Sequence, residues 1–253
     1  MCLPVRGLTS QRIVTAPPRG VPKRPGGVAD CSHGLALGWI AERETLRADW
    51  VRRIPGWYSP WIHLSFTVVL GPVVIACALL RIQGLRPVEL LTVAVVFLIS
   101  NIAEWHIHKG LLHRPLPGIS LLYKEHTLQH HRLYLTEDMR IRSYRELRLV
   151  LLPPMGIVLL IAVIVPIGLL FEHLGYRNIG MLWVASATTY VVSYEWLHLS
   201  YHLPEGHPIG ELAIIRRLSH HHAVHHSPKR MGSLNMNVTV PLWDWVRGTI
   251  AKD

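Results

Sequence analysis

VELLTVAVVFLISNIAEWHIHKGLLH, residues 88–113, joins an apolar run to a histidine cluster without a break. The run from Val88 to about Trp105 approaches the ~20 apolar residues that carry a helix across a bilayer. Asn101 and Glu104 sit near its end. Ionisable and amide groups at that depth should face protein or water rather than lipid. His108 and His113 follow at once, so the stretch reads as a membrane helix that delivers imidazoles to one end of a bundle.

Similar runs occur elsewhere. Spans are expected over 61–80, 88–105, 149–171 and 179–197, with a kink at Gly71-Pro72 in the first and interruptions at Pro153-Pro154 and Pro166 in the third. The fourth carries Thr188, Thr189, Ser193 and Glu195, which suits a helix packed inside the bundle. The expected class is therefore an all-α membrane protein with four transmembrane helices. Half of the 253 residues are hydrophobic, and 26 basic against 16 acidic side chains leave a formal charge of +10. The bases gather between the apolar runs, including Lys109, Arg114, Lys124, Arg140 and Arg148 after the second span and Arg216, Arg217, Lys229 and Arg230 after the fourth. The positive-inside rule explains this excess better than a nucleic-acid partner does. It places both termini and the histidine-bearing segments on the cytoplasmic face of a bacterial inner membrane or an endoplasmic reticulum.

Residues 1–35 are basic and rich in Pro and Gly, the composition of a disordered segment, with an organelle transit peptide as the alternative. A secretory signal is not expected, because no apolar core follows. Residues 36–57 read as an interfacial amphipathic segment, with Leu37, Ile40, Leu46 and Trp50 set among Arg43, Arg47, Arg52 and Arg53. Cys2, Cys31 and Cys77 form no CxxC pair, which argues against a disulfide framework or a zinc ribbon.

Ten of the 17 histidines fall in four clusters: His108 and His113; His126, His130 and His131; His198 and His202; His222, His225 and His226. Each pair of clusters follows an apolar run. Residues at i, i+3 and i+4 share a helix face, so the last three clusters can each point into one small volume. His108 and His113 lie ~140° apart on an ideal helix. They share a face only if the helix breaks or bulges, which Gly110 would permit; otherwise they reach the site from different sides. One metal takes about four to six ligands, so ten imidazoles argue for two metals. An all-nitrogen set with open positions suits two iron ions working with O2; zinc would bind the same ligands. Metal-bound imidazoles usually give their second N–H to a carboxylate or carbonyl. Glu104, Glu195, Asn235, Asn237 and Asp244 are candidates for that task, with His106, His220 and His221 beside the clusters. His207 is a weaker candidate, and His33, His63 and His173 read as ordinary surface or interface residues.

The four clusters resemble those of the fatty acid hydroxylase/sterol desaturase superfamily of integral-membrane di-iron enzymes. The stretch Glu104–His113 is similar to the first histidine box of fatty acid 2-hydroxylases, as are Leu152-Pro153-Pro154 and the ending Trp243-Asp244-(x2)-Arg247-Gly248-Thr249. Three residues rather than two separate His126 from His130, which leaves the substrate open. The resemblance implies that residues 58–253 form a membrane hydroxylase domain, with a cytosolic helical cap holding the dimetal site. It also implies O2-dependent hydroxylation of a fatty acyl or related lipid chain. Sterol or lipid desaturation and carotenoid hydroxylation are the alternatives within the superfamily. Residues 1–57 are too short for a fused haem domain and lack its histidine motif, so electrons are expected from a separate donor, a haem cytochrome or a ferredoxin with its reductase. Two readings compete from outside the family. A metal transporter or sensor would want ionisable groups at mid-span, and a bis-histidine haem carrier would want only two or four histidines inside the bundle.

Overall fold

The computed structural model describes residues 31–118 and 120–252, with side chains from residue 41 onward. The expectations for residues 1–30 lie outside the described residues. The chain divides into Met1–Trp39 and Ile40–Asp253. Residues 31–39 open helix α1 (Cys31–Arg53), so 31–35, expected to belong to the irregular N-terminus, are already helical.

The described residues of the second unit are helical, with no strand beyond an isolated bridge between Leu135 and Asp138. Helix α2 (Pro60–Leu80), helix α3 (Pro87–Leu112) and helix α6 (Pro154–His173) are long and apolar enough to cross a membrane. Between α3 and α6 lie α4 (residues 120–133) and the short α5 (Leu147–Val150). After α6 come α7 (Arg177–Tyr201), α8 (Ala213–His225) and α9 (Leu242–Arg247). The lipid-facing surface is legible in exposed apolar side chains such as Val95, Leu98 and Ile99 on α3 and Leu159, Val163 and Leu170 on α6.

Helix α7, expected as a fourth span, is not among the helices apolar enough to qualify. Its surroundings explain why. It packs against α2, α3 and α6, with Met181, Leu182, Val184, Ala185 and Ala187 buried among them. A helix covered by other helices needs no continuous lipid-facing stripe and tolerates Thr188, Ser193 and Glu195. The closest approach is to α6. A Cβ on Gly180 would overlap the carbonyl oxygen of Gly168, and one on Gly168 would overlap Val184. Gly180→Ala is therefore expected to push the two helices apart and cost about 1–3 kcal/mol. The purified variant should melt at a lower temperature than the parent in the same detergent; an unchanged midpoint would contradict the contact.

In α2 a π-turn runs over Phe66–Leu70, just before the Gly71-Pro72 pair where a kink is expected. Pro72 has no N–H and its ring displaces the carbonyl of Val68, and the wider turn, closed by Gly71 N–H to Phe66 O, absorbs that misfit. The third span starts at Pro154, not Leu149. Each residue before a proline is pushed away from helical geometry. Pro153, which precedes Pro154, stands outside the helical region at φ −52°, ψ 141°, and Pro154 begins α6 at the position where a proline costs nothing.

The connections 81–87 and 172–178 meet at the end of the bundle away from the histidines. Glu172 accepts from Arg81 (2.7 and 2.8 Å) and Arg177 (3.1 Å), and Asn178 holds Gln83 and Glu89. At the opposite end Leu46, Trp50 and Val51 of α1 pack on a core of Ile54, Leu133, Tyr134, Met139, Leu149 and Leu199. Arg47 is buried there against Glu146 (2.5 Å), which also accepts from Tyr134 Oη and from the amides of Arg142 and Ser143. These donors satisfy both carboxylate oxygens, which is the condition for burying the charge.

Candidate metal centre

All ten clustered histidines converge at this end, from α3, α4, α7 and α8. Their nitrogens sort into two groups of five. His108, His113, His126, His131 and His225 form one, and His130, His198, His202, His222 and His226 form the other; within each, the nitrogens lie within 4.8 Å of one another. Eight of the ten are buried, and His113 and His126 are half-buried.

Helix geometry decides the sorting. His108–Leu112 is a π-turn, and so is His126–His130. Closing a turn over five residues brings i and i+5 together. His108 and His113 have ring centroids 5.0 Å apart, and His126 and His131 4.7 Å apart. The expected break between His108 and His113 is present, but Gly110 does not create it: a Cβ there would meet nothing within 4 Å, and the second π-turn contains no glycine. The expectation that each remaining cluster fills a single volume holds for His198 and His202 alone. His130 falls in the other group from His126 and His131, and His225 in the other group from His222 and His226. The two groups meet along a seam, where His131 and His226 stack at 4.1 Å between centroids.

The hydrogen bonds set the tautomers. His108, His130, His202, His225 and His226 each donate Nδ1–H to a main-chain carbonyl, those of Met236 (2.5 Å), Leu149 (2.9 Å), Met139 (2.5 Å), Leu234 (2.9 Å) and Tyr134 (2.5 Å). Thr127 Oγ1 donates to Leu112 O (2.6 Å), so it accepts from His113 Nδ1 (3.1 Å). Each of these six rings then turns an Nε2 lone pair inward. His113 Nε2 and His225 Nε2 stand 3.1 Å apart with no proton to share. His130 Nε2, His198 Nε2 and His202 Nε2 are buried with no partner among the described residues. Opposed lone pairs at such distances repel unless a cation lies between them, so the donor set fits metal ions of borderline character. Burial, reinforced by the neighbouring imidazoles, holds the rings neutral and ready to ligate. It lowers His130 to about 4, and His126, His131, His202, His222, His225 and His226 well below the ordinary value.

The expected supporting residues act one step further out. Glu104 touches no imidazole. It accepts from the amides of Val238 (2.5 Å) and Thr239 (3.0 Å), from Thr239 Oγ1 (2.7 Å), Tyr190 Oη (2.5 Å) and Asn237 Nδ2 (3.2 Å). Asp244 accepts from the amides of Met236 and Asn237, from Trp105 Nε1 and from Thr249 Oγ1, and His221 lies 3.4 Å from it. Both carboxylates thereby hold the 236–239 loop, whose Met236 carbonyl orients His108. Asn235, at φ 54°, donates to His221 O. Glu195 accepts from Leu152 N, and His106 is exposed. His63, read as an ordinary surface or interface residue, is in fact buried between Tyr58 Oη and Leu152 O, each 2.8 Å away. The carbonyls that fix the rings carry no side-chain signal, so sequence could not mark them; Thr127, one residue after His126, was the one partner open to notice.

A narrow cleft of about 40 Å³ reaches the seam, with His126, His130 and His198 in its floor and Leu122, Leu149 and Tyr194 among its walls. A family model described as fatty acid hydroxylase matches residues 93–249, which include all ten histidines. No curated protein and no solved structure matches significantly.

Proposed function

The chain belongs to the fatty acid hydroxylase family, and from that premise we propose that it hydroxylates a lipid chain with O2 at two iron ions held by the ten histidines. The observation that carries the reading is the pair of five-nitrogen groups, buried and joined along one seam. With α7 as a fourth crossing, the histidine end and both termini lie in the cytoplasm, where the basic loops belong.

When bound, the irons supply the redox power that side chains lack: R–H, O2, two electrons and two protons become R–OH and water. The electrons come from a separate haem cytochrome or ferredoxin. The protein's own part is positional. Nδ1–H donors to carbonyls hold the imidazoles neutral with Nε2 inward, the clamped 236–239 loop keeps His108 in place, and the leucines that line part of the cleft receive a lipid chain while limiting water.

The test is elemental analysis of anaerobically purified protein followed by turnover under 18O2 with a reductant. Two irons per chain and one labelled oxygen in the product are expected. A product with a new double bond and no label would overturn hydroxylation in favour of desaturation. Absence of any redox-active metal would overturn the whole reading.

A further inference from the structure

We propose that Arg148 and Glu125 select the substrate's polar group, favouring a lipid that presents a hydrogen-bond acceptor and donor together, as an amide does. This rests on the proposed lipid oxidation at the histidine centre. The two residues line the same cleft whose floor carries His126 from one nitrogen group and His130 and His198 from the other. Its wall includes Leu112, where α3 ends, and Pro153, just before α6 begins. The cleft is therefore level with the ends of two membrane helices, where lipid polar groups reside.

Arg148 Nη2 donates to Glu125 Oε1 at 2.6 Å, with side chains 30% and 23% exposed. A pair at that exposure adds little stability. Its location is more informative than its strength. Glu125 precedes His126, and Gln129, also lining the cleft, precedes His130. The rest of the wall is dominated by apolar side chains such as Leu122, Leu149, Leu151 and Leu152. A chain entering between the leucines brings its polar end to the ion pair. There the remaining guanidinium N–H groups donate to a carbonyl, and the second carboxylate oxygen accepts from an N–H. An ester satisfies only the arginine, and a hydrocarbon satisfies neither.

The experiment offers hexadecanamide, methyl hexadecanoate and hexadecane in competition to the iron-loaded full chain in nanodiscs, and maps product position by mass spectrometry. Native mass spectrometry of the metal-free protein separately counts adducts of the three probes. The parent protein should favour the amide about tenfold or more in both assays, the scale of hydrogen bonds to charged groups. Arg148→Met should lose that preference. The double exchange Glu125→Arg with Arg148→Glu keeps an ion pair between the same helices. It should retain the parent's melting point and iron content, yet shift the preference or the oxidised carbon. A double variant with the parent's preference and product position would reduce the pair to a structural clamp and overturn the proposal, as would a parent that takes the three probes equally. If no probe is oxidised, the proposed function fails for these chains, and the adduct ratios still decide the role of the pair.

Discussion

His130→Ala and His225→Ala are each expected to reduce lipid oxidation to background while the protein still inserts and folds in the membrane. The two positions belong to different nitrogen groups, His225 to the group of His108 and His130 to the group of His198. Each variant should therefore lose one metal preferentially, and elemental analysis should fall from the proposed two irons per chain toward one. Both rings also donate to a carbonyl, so truncation leaves Leu149 O or Leu234 O without its partner as well as removing a ligand. Helix-rich circular dichroism and an unaltered elution volume would show that the scaffold survives. Full turnover in either variant would defeat the assignment of the ten histidines.

Glu104→Leu should be the most damaging change outside the ligands. The leucine removes the acceptor for two amides, two hydroxyls and one carboxamide, four of them in the buried 236–239 loop and the fifth, Tyr190 Oη, on α7. Each donor left without a partner costs about 1–3 kcal/mol, and a whole domain is stable by only about 5–15 kcal/mol. The expected outcome is a sharply lowered melting point together with loss of metal, because the Met236 carbonyl that orients His108 is released. Glu104→Gln keeps one acceptor oxygen and should fall between. A leucine variant with the parent's melting point and metal content would show that the loop holds itself.

Much of the architecture was legible in residues 88–113 and their counterparts. Apolar length identified α2, α3 and α6, and the four histidine clusters marked the end at which they converge. For helix α7, Thr188 and Glu195 marked a helix packed inside the bundle, and the packing of α2, α3 and α6 around it agrees. What the sequence did not carry is helical phase. Spacing rules for an α-helix group His126 with His130, whereas the π-turn pairs His126 with His131 and sends His130 across the seam. Gly110 drew attention to the right place for the wrong reason, since nothing in its surroundings requires a missing Cβ. Glu104 and Asp244, expected as acceptors for the rings, instead hold the 236–239 loop through its amides, and Glu195 accepts from Leu152 N.

The π-turns at 108–112 and 126–130 also bear on how such a chain can change over time. A π-turn amounts to one residue inserted into an α-helix, and each inserted residue rotates everything beyond it by ~100°. In α3, the lipid and bundle contacts before Ile107 and the imidazoles after it are consequently set on independent dials. Side chains facing the bilayer can be exchanged without turning the ligands, but losing a single residue from 109–112 would rotate the whole span against its neighbours. Tolerance to substitution and intolerance to deletion should therefore coexist within the same helix.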